Sequence, residues 1–62
     1  GWQALASLDE ESREIVVLRF FQRMQARDIA EIVDSTEGAV RTRLHRILKS
    51  LRGKYEPMRD QL

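Results

Sequence analysis

Apolar residues recur along this chain every three or four positions, and nowhere do they alternate with polar ones for long enough to make a strand, so the pattern predicts short helices. Trp2, Leu5 and Leu8, three apart, form one stripe on a short opening turn. Ser7 with Glu10 resembles a capping box, and Asp9, Glu10, Glu11 and Glu14 suit the positive end of a helix over about 9–22. A second, short helix is predicted over Arg27–Val33, with Ile29, Ala30 and Val33 on its inner side. Asp34, Ser35 and Thr36 are turn and cap formers, and Thr36 is the best N-cap for a third helix from Glu37 to about Arg52. Gly53 is the expected stop, and Pro57 speaks against continuation into the tail.

The third helix divides cleanly. At about 100° per residue, Val40, Leu44, Ile47, Leu48, Leu51 and Tyr55 share one arc of about 100°, the predicted core face. Arg41, Thr42, His45, Arg46, Lys49 and Arg52 fall together on another side, within about 140°. Arg and Thr donate to phosphates and base edges, and a helix fits the major groove of B-DNA. A charged face that merely meets water is the plain alternative.

Size and composition narrow the choice. A chain of 62 residues buries only about 60% of the surface it exposes when unfolded, which leaves little room for a large cleft. It is read as a single domain over residues 1–62, cut from a longer protein. With no cysteine there is neither a disulfide framework nor a thiolate site, as suits a reducing cytoplasm. Apolar runs never exceed four residues, so no membrane partner is expected.

The net charge of +1 hides a strong asymmetry. Residues 1–40 carry four cationic and eight acidic side chains, whereas 41–54 hold Arg41, Arg43, Arg46, Lys49, Arg52 and Lys54 with no acid. A basic helix on an acidic body approaches a polyanion in one orientation.

Two helices joined by a three- or four-residue turn, with Ala30 at the tight crossing and a basic second helix, form the pattern of a helix-turn-helix. The stretch from Arg27 to Arg46 goes further, and resembles region 4 of bacterial RNA polymerase sigma factors of the extracytoplasmic-function type. The segments EIVVLRF, DIAEIV and EGAVRTRLHR stand in that family's order and spacing, and the resemblance covers nearly the whole chain. Asp34 and the tail Lys54-Tyr55-Glu56-Pro57 resemble its envelope-stress members.

The resemblance implies an all-α, four-helix domain whose last helix enters the major groove of the promoter's minus-35 element. It implies that Arg41 and Arg46 meet base edges or adjacent phosphates, Thr42 makes a smaller contact, and His45 makes a van der Waals or phosphate contact. Lys49 and Arg52 then meet backbone phosphates. Arg27, on the supporting helix, reaches phosphate or is an ordinary exposed arginine. Thr36, Glu37 and Gly38 complete the expected DNA-facing set at the helix's first turn, where free N–H groups can meet a phosphate. Gly38 there either allows close approach or supplies a left-handed turn.

Four positions depart from the family pattern. Arg23 stands where a turn glycine is common, Gln25 where Ser or Thr caps the second helix, Ser35 where an apolar residue is usual, and Ala39 where Thr is common.

His45 has no carboxylate, serine or second histidine at helical spacing, and the sequence contains neither a Gly-rich phosphate loop nor a metal-ligand pattern. No catalytic residue, metal or cofactor is therefore expected. On the first long helix, Ile15, Val16, Val17, Leu18, Phe20 and Phe21 project in every direction, more than so small a core can cover unless Trp2, Leu5 and the last helix bury them all. The surplus points to a protein partner, with Val17 and Phe20 as candidates. The resemblance names that partner as the β flap of RNA polymerase core or an anti-sigma factor.

Three functions remain open at this point. The leading one is promoter recognition by a sigma factor, in the cytoplasm and associated with the nucleoid. The second is a sigma-like mimic that binds an anti-sigma factor and not DNA. The third is the DNA-binding domain of a response regulator.

Overall fold

Asp9 starts the first helix. In the computed structural model, which describes residues 6–59 and their side chains over 6–53, Asp9 is extended and its Oδ1 accepts from the Ser12 N–H at 2.8 Å. Helix α1 follows as Glu10–Val16, with Glu10 and Glu11 in its first turn. The expected Ser7–Glu10 capping box is corrected to this Asp9 cap. An ionised carboxylate next to the first helical residue makes a charge-assisted bond that a serine two residues earlier does not.

The helical path then widens into a π-turn over Val17–Phe21, closed by Gln22 N–H donating to the Val17 carbonyl at 3.1 Å. A continuous α-helix to about residue 22 is therefore corrected. Arg23 follows with φ 58°, which returns the chain so that Met24 N–H reaches the Leu18 carbonyl at 3.0 Å. Glycine takes that conformation freely, and arginine pays about 1 kcal/mol.

Helix α2 spans Ala26–Ile32, and its N-cap Gln25 makes no side-chain bond, the weak cap the sequence suggested. It ends in a Schellman motif: Asp34 is left-handed at φ 55°, and Ser35 N–H donates to the Ala30 carbonyl at 2.8 Å. Thr36 then caps α3, Glu37–Arg59, with Oγ1 accepting from the Ala39 N–H at 3.1 Å. That helix runs through Gly53 and Pro57 rather than stopping at Arg52. Gly53 keeps a right-handed φ and so makes no left-handed cap. Pro57 lies inside this helix although an interior proline removes one backbone hydrogen bond and crowds the carbonyl four residues back.

The described residues thus form three helices and no strand, an all-α fold. The opening helix of the expected four falls largely in residues 1–5, outside the described residues along with Trp2 and Leu5. Ile15, Ile29, Ala30, Val40 and Leu44 make the core, with Leu18, Met24, Ala26 and Val33 packed against it. All three helices contribute, and the buried Ala30 of α2 shares this cluster with Val40 and Leu44 of α3. Ile47 completes the buried side of α3 and Leu51 is half-buried, but Leu48, at the edge of the predicted arc, is exposed. Tyr55 lies outside the described side chains.

Candidate nucleic-acid interface

The geometry of α3 follows from its two anchors. Thr36 fixes where the helix begins, and Val40, Leu44 and Ile47 fix which side is buried. Arg41, Thr42, His45, Arg46, Lys49 and Arg52 are consequently all exposed on one continuous side. His45, Leu48, Lys49 and Arg52 line a shallow depression of about 310 Å³ along it.

The first turn of this face is open. Gly38 has right-handed backbone, and a Cβ built there meets nothing within 4 Å. The left-handed alternative for Gly38 is thereby corrected, since the turn's positive φ falls on Asp34 instead. Thr36 uses its oxygen as the cap acceptor but keeps a hydroxyl proton to donate. Glu37 is not simply presented to a ligand, because its carboxylate takes the Arg41 guanidinium at 3.2 Å across one helical turn. Both side chains are exposed, so the pair is weak and exchangeable. A second crevice, of about 330 Å³, brings Arg19, Gln25 and Ala26 together with Glu37, Arg41 and Leu44. Arg27 is exposed at the second position of α2.

Arg43 behaves differently from its neighbours. Its guanidinium turns away from the basic face, donates to the Ser12 hydroxyl at 3.2 Å, and sits 3.5 Å from Asp9 and 3.7 Å from Glu11. Ser12 is only 6% exposed. Bonds from the Ser12 side chain and backbone, with smaller help from Arg43 and Arg13, hold the Asp9 carboxyl below its ordinary value. The basic run counted along the sequence thus loses one cation to an internal tie. On the helical projection Arg43 stands about 40° beyond Ile47, on the flank opposite Arg41, and that flank is the one that meets α1.

On the first long helix, Ile15 and Val16 are buried, Val17 and Leu18 half-buried, and Phe20 and Phe21 exposed at 49% and 68%. The apolar surplus is real, but it belongs to Phe20 and Phe21 more than to Val17, which borders a shallow depression with Glu10, Arg13 and Glu14. Phe21 was missed as a candidate because a straight α-helix does not show that the π-turn brings two successive rings to the surface. Arg19 lies over the Phe20 ring at 5.8 Å from its centroid and donates to the Met24 carbonyl at 3.3 Å. Among the described residues, no cluster of His, Cys, Asp or Glu is arranged to hold a metal, and no helix is long and apolar enough to cross a membrane.

Comparison with known proteins places these features in a family. The model described as "Sigma-70, region 4" matches residues 2–51. The RNA polymerase sigma factor SigV of Bacillus subtilis (strain 168) is 40% identical over 50 residues, which are 81% of this chain and 30% of that protein. The matched stretch therefore spans under a third of that relative's length. No solved structure matches it significantly.

Proposed function

Because the chain belongs to the sigma-70 region 4 family, we propose that it binds the minus-35 element of promoters as the C-terminal domain of an alternative, extracytoplasmic-function RNA polymerase sigma factor. It would do so in the bacterial cytoplasm, on the nucleoid, and direct transcription initiation. The observation that carries this reading is the uninterrupted exposed face of Arg41, Thr42, His45, Arg46 and Lys49 on a helix braced by α2. A helix of this width enters the major groove, where each base pair shows a distinct donor and acceptor pattern.

In this reading Arg41 and Arg46 read base edges or the phosphates beside them, Thr42 and His45 make closer, smaller contacts, and Lys49 holds backbone. Arg27 reaches a flanking phosphate from α2. Thr36, Glu37 and Gly38 bring the first turn against DNA, and Arg41 exchanges its Glu37 partner for a base or phosphate. The exposed Phe20 favours a second contact, with the β flap of the polymerase or an anti-sigma factor. A mimic that binds only an anti-sigma factor has no need of the basic face.

Selection from a randomised duplex pool tests the reading directly. The chain should enrich one short sequence class and bind it far more tightly than a scrambled duplex. Recovery of no preferred sequence would reject promoter recognition.

A further inference from the structure

Apolar packing holds α3 against α1 and α2, but it is poorly directional. The burial of Val40, Leu44 and Ile47 settles which side of α3 faces the core, but the hydrophobic effect behind it is non-directional and sets the last degrees of roll less firmly. Base reading does not. A roll of about 20° carries a side-chain tip roughly 2 Å at the helix's outer radius, whereas a functional constellation must be held within about 0.5 Å. Something directional has to fix the roll of α3.

Arg43 is placed to do so. It is the residue of α3 that reaches across to α1 with its planar fork, two residues from Arg41 and three from Arg46. Two of its partners are anchored, Asp9 by its cap bond and Ser12 by burial, while Glu11 is exposed. Asp9 uses Oδ1 to cap α1 and presents Oδ2 to Arg43, while Ser12 is buried beneath it. One carboxylate thus closes the start of α1 and pairs with a side chain of α3 34 residues later in the chain. Partly exposed ion pairs add little to stability, so loss of this cluster should change the melting temperature only slightly.

We propose that Arg43 is a positioning residue for base recognition: with Asp9, Glu11 and Ser12 it fixes the roll of α3 and does not itself contact DNA. The inference rests on the reading of the chain as a promoter-binding domain. The rival account, that Arg43 is one more cation for phosphate partly masked by acids, predicts effects of opposite sign.

The decisive variant is Asp9→Asn with Glu11→Gln. Asparagine caps a helix about as well as aspartate, so α1 keeps its start while Arg43 loses both charges. Affinity is measured for the duplex selected by the unaltered chain and for its scrambled counterpart. The expected result is a fall in the selected-to-scrambled ratio of about three- to tenfold, because arginine–base contacts are lost and phosphate contacts are not. Equal strengthening of both duplexes, with the ratio unchanged, would overturn the proposal in favour of a masked phosphate cation. Should the double variant melt below the assay temperature, Glu11→Gln alone takes its place, with a smaller fall in the ratio expected and an unchanged ratio counting against the proposal. Arg43→Gln adds a second readout: the slope of log affinity against log salt on scrambled DNA should stay as it was, and a slope shallower by about 0.9 would show a lost phosphate contact. If the unaltered chain selects no sequence, promoter recognition itself fails, which is distinguishable from either outcome.

Discussion

Arg23 and Gly38 show how one backbone angle separates structure from function. Arg23 sits at φ 58° after the π-turn, where glycine relieves the crowding of a Cβ. Arg23→Gly should therefore raise stability by up to about 1 kcal/mol, less the extra freedom glycine gives the unfolded chain. Thermal melts read this, and a clear loss of stability would mean that the arginine side chain holds the turn. Gly38 is the converse case, a glycine in ordinary helical conformation with open space where a Cβ would point. Gly38→Ala should stabilise the chain by roughly 0.5–1 kcal/mol and yet weaken binding to the selected duplex, because the methyl stands between the first turn and DNA. A more stable variant with undiminished affinity would show that the glycine is not kept for close approach. The sequence made Arg23 legible through its departure from a common glycine. It did not show that Asp34 takes the other left-handed position, because aspartate also serves as an ordinary turn former there.

Among the elements, α3 was the most legible. Its start, its cap and its buried positions Val40, Leu44 and Ile47 follow from spacing and from Thr36 alone. Leu48 was misplaced, since a helical projection assigns a side chain to an arc but cannot say how far the neighbouring helices reach around it. The π-turn over Val17–Phe21 was illegible for a related reason: β-branched and aromatic residues suit either helical winding, and only tertiary packing chooses. The exposed face of α3 carries its own prediction. Arg41→Ala or Arg46→Ala should cost roughly 1–3 kcal/mol of affinity for the selected duplex with little change in melting. Lys49→Ala should weaken selected and scrambled duplexes about equally. Titrations of the three variants against both duplexes check this, and unchanged affinity in both arginine variants would reject the assigned face.

At the scale of the whole molecule, acids and cations concentrate on different elements, while exposed apolar side chains stand at Phe20, Phe21, Ile32 and Leu48. Acids gather at the start of α1, cations along α3, and the rings of Phe20 and Phe21 lie at the end of the π-turn. Phe20→Ala should weaken binding to the polymerase β flap or an anti-sigma factor while leaving DNA affinity in place, since the ring is about half exposed. Val17→Ala should cost stability instead, because that side chain is half-buried. A Phe20 variant that unfolds, or that binds both partners as before, would contradict the partner surface.

The central claim, that the cationic face of α3 meets the phosphates and bases of promoter DNA, is tested most directly by the salt dependence of binding to the selected duplex. Neutralising about four to six phosphates predicts a slope of log K against log salt of roughly −4 to −5. The selected duplex should also stay tighter than its scrambled counterpart throughout the titration. A slope near zero, or equal affinity for the two duplexes at every salt concentration, would contradict it.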